Sequence, residues 1–125
     1  MRPIPKPGDV FLVSLEGTGY VLRGPHYAVV VSDEPFNYLS TVVIVPLSTG
    51  ARSASFRPEI EFMGRCTRAL VDQVRAMDKK RLKNYQDNLA ETSFFLAIKA
   101  ALKELFALHE EYLPTLSLHN DFCPF

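Results

Sequence analysis

The sequence has no surplus of charge of either sign. Acidic and basic side chains number 14 each in 125 residues. That balance excludes the uniformly positive surface of a non-specific duplex-DNA binder, but not a local basic face, because steering depends on where charge sits. Cysteine is scarce as well. Cys66 and Cys123 are far apart and lack metal-ligand spacing, so they read as reduced thiols of a cytoplasmic protein. No apolar run reaches the roughly 20 residues of a membrane-spanning helix. The opening Met1-Arg2-Pro3-Ile4-Pro5-Lys6-Pro7 has no apolar segment of the signal-peptide kind. A cytoplasmic protein without a membrane segment is expected. The length suits one domain with one core, and there is neither an internal repeat nor an interdomain linker.

What is present is a succession of short apolar runs that end in polar, chemically capable residues. After the stiff proline-rich opening, Gly8-Asp9 leads into a β-like run from Val10 to Leu15. Glu16 to His26, with Gly17, Gly19, Gly24 and Pro25, reads as a loop. Tyr27 to Val31 and Thr41 to Pro46 are unbroken apolar runs rich in β-branched residues, as expected of strands covered on both faces. A turn or short helix fills Asp33 to Ser40, and a polar loop Ser48 to Pro58. Ile60 to Phe62 is a short strand, and Gly64 begins a turn. A further strand passes through Ala69-Leu70-Val71, and a brief helical turn covers Asp78 to Leu82. Asn88, with Glu91 three residues later, has the pattern of an N-cap. Phe95, Ile98, Leu102 and Leu105 then recur at helical spacing with Lys99, Lys103 and Glu104 between them, predicting one amphipathic helix that ends near Leu108. Short strands closed by one helix fit an α+β fold built on a strongly bent sheet or barrel. Residues 1–108 form the domain, and 109–125 a C-terminal tail, docked or disordered.

These segments resemble the MazF/PemK/Kid toxins of bacterial toxin–antitoxin systems. The matching pieces are Gly8-Asp9-Val10 with Val13-Ser14-Leu15, then Ala28-Val29-Val30-Val31-Ser32 and Phe36-Asn37. Val45-Pro46-Leu47-Ser48-Thr49, Asp72-Gln73-Val74-Arg75 with Asp78, and Leu82 before the final helix complete the set. Their order and spacing carry the resemblance from about Pro7 to Leu108. It implies an SH3-like barrel, shared with the CcdB gyrase poisons, with a C-terminal helix. It also implies a homodimer whose interface forms a groove, and an antitoxin of the MazE kind that lays an acidic, disordered segment in that groove. The implied activity is sequence-specific cleavage of single-stranded RNA without metal or other cofactor, leaving a 2′,3′-cyclic phosphate and a 5′-hydroxyl.

Such cleavage uses the ribose 2′-hydroxyl as nucleophile, so the chemistry itself selects RNA over DNA. The protein must move protons and stabilise charge on the phosphorane. In the family, an Arg-Pro pair before the second strand carries the key guanidinium. Here the Arg position holds His26 and the Pro position Tyr27, while Arg23 and Pro25 lie upstream. Two assignments stay open: His26 as acid/base, or Arg23 brought to the phosphate by a rearranged loop. A third is that the substitution leaves a catalytically silent member that only binds RNA or antitoxin. Ser48 and Thr49 match the family's hydroxyl pair at the phosphate, although taken alone such a pair also fits a strand-end turn that caps its own backbone. Asp72 and Gln73 match a pair implicated in base recognition, and equally suit a pair that satisfies backbone groups. Arg75 is placed to pair with Asp72 or to meet a phosphate.

Arg52, Arg57, Arg65 and Arg68 cluster in the middle third, and Lys79-Lys80-Arg81 follow. Across a dimer such charges line a path for a phosphate backbone, with Arg52 and Arg57 as RNA contacts. Tyr20, Tyr27, Phe36 and Tyr38 offer stacking surfaces for bases. Gyrase poisoning on the same fold is the competing function. Ala107-Leu108-His109-Glu110-Glu111 lacks the apolar-to-aromatic ending expected for it. The tail either covers a sheet edge or enters the groove, with Asp121 and the terminal carboxylate mimicking phosphate.

Overall fold

A computed structural model of the chain describes residues 3–108. The expectations placed on 109–125, and on Cys123, lie outside these residues. Seven antiparallel strands form one curled sheet: β1 (Asp9–Leu15), β2 (Gly24–Val30), β3 (Thr41–Ser48), β4 (Glu59–Phe62), β5 (Arg65–Ala69), β6 (Arg75–Asp78) and β7 (Lys83–Asn88). Their order is β4-β5-β3-β2-β1-β7, with β6 added to β3. A one-turn helix α1 (Glu34–Asn37) precedes β3, and α2 (Ser93–Leu105) closes the fold. Among the described residues, no helix is long and apolar enough to cross a membrane.

The unbroken apolar runs have the meaning the sequence gives them. Because side chains alternate across a strand, each run feeds two cores. Val10, Val29, Val45 and Leu47 pack on one side with Phe95, Ile98 and Ala101 of α2. Phe11, Val13, Ala28, Val30, Val42 and Ile44 pack on the other with Met77 and Leu82. Burying each such side chain contributes roughly 1.5–3 kcal/mol. Leu105, placed on the buried stripe by its spacing, is instead 39% exposed, beyond Leu102, which still packs on the first core.

Strand β3 changes partners along one edge. Thr41 to Ile44 pair with β6, whereas Leu47 and Ser48 pair with β5. Pro46 sits at the changeover, and its carbonyl accepts from Leu70 N–H on that edge at 2.9 Å. A residue's N–H and C=O point to the same side of a strand, so the missing proline donor falls where no ladder bond is needed. The chain between β5 and β6 makes a tight helical turn at Val71–Gln73 in this gap. The strand expected through Ala69-Leu70-Val71 therefore ends at Ala69.

Other boundaries move for local reasons. Strand β2 starts at Gly24, so His26, expected in a loop, lies in a strand opposite Val13. Asn88 is not the N-cap of α2. Its Oδ1 accepts from Ala90 N–H at 2.8 Å and its amide bonds Asp9 and the Pro7 carbonyl, while Thr92 caps the helix by accepting from Phe95 N–H at 3.3 Å. Strand β7 has no sequence signature, because Lys-Asn-Tyr-Gln-Asp-Asn lacks apolar alternation; its pairing with β1 forms it. The helical turn expected over Asp78 to Leu82 is present at Lys79–Arg81, capped by Asp78.

Two devices fix the start of the domain. Gly8 has φ +94°, and a Cβ there would meet the Ala90 nitrogen at 2.6 Å, so only glycine fits. Asn37 is fully buried. Its amide nitrogen donates to the Pro5 and Ser32 carbonyls at 2.8 Å each, and its Oδ1 accepts from the Ser32 hydroxyl at 2.5 Å. Cutting Asn37 to alanine strands these buried groups. We expect Asn37→Ala to lower stability by about 2 kcal/mol or more, read from the urea midpoint; a change under about 0.5 kcal/mol contradicts this role.

Candidate functional site

A cleft of about 530 Å³ opens at the ends of β2 and β3. The middle of β2 supplies His26 and Tyr27, and the end of β3 supplies Ser48 and Thr49; all four line the cleft. The β4–β5 hairpin closes it with Phe62, Met63, Arg65 and Thr67. The Tyr27 and Phe62 rings meet edge to face at 5.3 Å and form an apolar wall.

His26 is held at both ring nitrogens. Nδ1 lies 3.2 Å from the Leu47 carbonyl oxygen and Nε2 lies 3.2 Å from that of Arg23. A neutral imidazole donates to only one of these acceptors; a doubly protonated ring donates to both. Whichever nitrogen carries the proton, the two carbonyls fix the plane of the ring in the cleft.

The hairpin is strained where it meets the cleft. Met63 and Gly64 join the paired residues Phe62 and Arg65 and have φ of 54° and 74°. Two positive φ values are the requirement of a type I′ turn, which favours Asn-Gly over a bulky residue at its first position. This turn aims Arg65 at the cleft rim. Arg65 has no ion-pair partner among the described residues. Sequence reasoning grouped Arg65 with its neighbours and missed its distinction. The available signal was the alternating Ile60 and Phe62 ahead of Met63-Gly64, a short-hairpin pattern.

The other candidates are placed elsewhere. The Arg23 guanidinium reaches the Gly17 carbonyl at 3.4 Å, and Arg23 does not line the cleft. Arg57 grips Asp72 with two bonds, Nε to Oδ1 at 2.9 Å and Nη2 to Oδ2 at 2.8 Å, and also touches the Arg52 carbonyl. Asp72 is thus paired with Arg57 and not with Arg75. Gln73 and Arg75 are bound to the β1–β2 loop. None of Arg52, Arg57, Asp72, Gln73 and Arg75 lines the cleft. Among the described residues, no group of three or more His, Cys, Asp and Glu is placed to hold a metal ion.

The model of the PemK-like, MazF-like toxins of type II toxin–antitoxin systems matches residues 6–106. The chain belongs to that family. Over 59 residues the chain is 51% identical to the toxin-like protein Rv3098A of Mycobacterium tuberculosis (strain ATCC 25618 / H37Rv), covering 47% of the chain and 55% of that relative. The chain thus spans about half the length of that relative. MazF from Deinococcus radiodurans shares the fold with a TM-score of 0.74 at 18% identity, over 86% of this chain and all of that chain. A mycobacterial endoribonuclease solved with its cognate antitoxin does so with a TM-score of 0.69 at 21% identity, over 85% and 98% of the two chains. At these identities the likeness is one of fold.

Met63→Asn relieves the left-handed strain and raises stability by about 1 kcal/mol, visible as a higher melting temperature; a lower one contradicts the turn assignment. The Arg57 guanidinium holds the Asp72 carboxyl below its usual 3.8. A depressed carboxyl contributes stability that is complete above the unfolded value and disappears as pH falls through the folded one. Asp72→Asn therefore costs about 1 kcal/mol or less at pH 7, and the gap from the parent narrows as pH drops below 3.8. A gap independent of pH, measured by urea unfolding, excludes the ion pair as its cause.

Proposed function

We propose that this toxin is an endoribonuclease that cuts single-stranded RNA at a short sequence, using the RNA's own 2′-hydroxyl and no metal. The observation that carries this is the convergence of His26, Ser48, Thr49 and the unpaired Arg65 on one cleft. The 2′-oxygen attacks phosphorus, and the bond from phosphorus to the 5′-oxygen breaks. The products are a 2′,3′-cyclic phosphate and a 5′-hydroxyl. His26 supplies the proton to the departing 5′-oxygen, exchanging one backbone carbonyl for it. The Ser48 and Thr49 hydroxyls bond the phosphate and relay the 2′-hydroxyl proton to solvent. Arg65 faces the charge that grows on the phosphorane. The Tyr27 ring, braced by Phe62, is a surface for a neighbouring base.

The same assignment extends to a homodimer acting in the cytoplasm and to an acidic antitoxin segment occupying the cleft. The cognate antitoxin bound to the structurally similar mycobacterial endoribonuclease supports an antitoxin partner. Arg52, Arg57 and Asp72 lie outside the cleft. Arg52 and Arg57 serve RNA through the path of the backbone beyond the scissile site, with Asp72 holding the Arg57 guanidinium in place.

Incubation with mixed-sequence single-stranded RNA in excess EDTA, followed by end sequencing, tests this. Discrete cuts with 5′-hydroxyl ends are expected. His26→Ala should lower the rate by about 10²–10⁴-fold, Arg65→Ala by about 10²-fold, and Thr49→Ala by at least about tenfold. Losses below tenfold in all three reject the site. Intact RNA together with blocked gyrase relaxation replaces the assignment with gyrase poisoning. Intact RNA with unaffected gyrase leaves a silent binder.

A further inference from the structure

The β1–β2 loop is held by side chains far away in sequence. The Leu22 N–H donates to Gln73 Oε1 at 2.9 Å, and Gln73 Nε2 donates to the Tyr20 carbonyl at 3.0 Å. Arg75 donates from one terminal nitrogen to the Glu16 carbonyl at 3.0 Å and from the other to the Leu22 carbonyl at 3.1 Å. Arg75 also meets Gln73 Oε1 at 3.2 Å, which fixes the two side chains against each other. Residue Leu22 is therefore gripped at its N–H by one side chain and at its C=O by the other. The next carbonyl along the chain, that of Arg23, is the one facing His26 Nε2. Arg81 adds an anchor at the loop's near end through the Ser14 carbonyl at 2.6 Å and the Glu16 carboxylate at 3.1 Å.

We infer that Gln73 and Arg75 are positioning residues, a latch that holds the β1–β2 loop so that the Arg23 carbonyl orients the His26 ring in the cleft. Three features support this over direct RNA contact. Both side chains place their polar atoms on loop backbone groups, and neither lines the cleft. The bonds are of a kind that a short glycine-containing loop cannot provide for itself; its own backbone bond, Val21 N–H to the Thr18 carbonyl, closes only the tip. The latch is charged on one side only. Arg75 carries its charge among carbonyl dipoles, and its partial burial lowers its pKa, while leaving a guanidinium protonated at any working pH. The grip on Leu22 is therefore insensitive to pH across the physiological range. Tyr20, fully exposed at 101%, is presented at the tip of the latched loop.

The consequence for catalysis rests on the ribonuclease assignment above, but the latch itself is measurable without RNA. The full chain, labelled with 15N, is compared with Gln73→Ala, Gln73→Glu and Arg75→Lys. In Gln73→Ala the Leu22 amide should exchange at least about tenfold faster, because its acceptor is gone, and the His26 ring nitrogen resonances should move. Gln73→Glu keeps an acceptor for Leu22 and loses the donor to Tyr20, so Leu22 protection should persist. Arg75→Lys keeps the charge but cannot bond Glu16 and Leu22 together, and should shift His26 as Gln73→Ala does. With RNA, Gln73→Ala should lower kcat at least about tenfold and change KM by less than about threefold. Unchanged Leu22 exchange and unchanged His26 resonances overturn the latch. A raised KM with kcat intact overturns it too, in favour of direct RNA contact. If the parent chain cuts no RNA, the ribonuclease assignment falls while the Leu22 and His26 measurements still decide the latch.

Discussion

Everything in this fold depends on β3 being occupied on all sides. Both faces of the strand are buried, β2 runs along one edge, and β6 and then β5 share the other. Pro46 makes the sharing possible. A residue with an N–H at that position would present a donor to the gap between two partners, and an unpaired buried donor costs about 1–3 kcal/mol. Proline removes the donor and leaves its carbonyl to anchor Leu70. The turn at Val71–Gln73 exists because the partner changes there, and that turn carries Gln73 toward the β1–β2 loop. At its far end the same strand delivers Ser48 and Thr49 to the cleft. One strand therefore sets both the site and the element that steadies it.

The cleft follows from this arrangement with little added machinery. Antiparallel pairing puts β2 and β3 side by side, so residues far apart in sequence, His26 and Ser48, share one hollow. The β4–β5 hairpin supplies the remaining wall and the one cation at the rim without an ion-pair partner among the described residues. The positive φ of Met63 is a strain of the sort that concentrates at working sites. It sits on the hairpin that aims Arg65.

Most of the charged residues picked out by pattern are engaged with other parts of the protein. Arg57 and Asp72 hold each other, Arg68 holds Glu59, and Arg81 holds Glu16. Gln73 and Arg75 hold a loop. Side-chain identity could not distinguish these roles, because a guanidinium that binds a phosphate and one that binds a carbonyl look alike in sequence. His26 was legible as the substitution at the family's arginine position, but its strand placement was not: glycine and proline at positions 24 and 25 read as loop, yet they begin β2. Strand β7 was hidden for a related reason, since pairing with β1 rather than its own polar sequence makes it a strand.

The sequence by itself determined the class of fold, the two-faced strands, the closing helix and the family, because period-two and period-3.6 patterns of burial are local and survive without coordinates. It also singled out Ser48, Thr49 and the residue at position 26, which the fold brings to one cleft. Only the tertiary structure decided which charges stay free. That depends on distances between residues dozens of positions apart, such as Gln73 and Leu22 or Arg57 and Asp72, which are set by how the strands close upon one another.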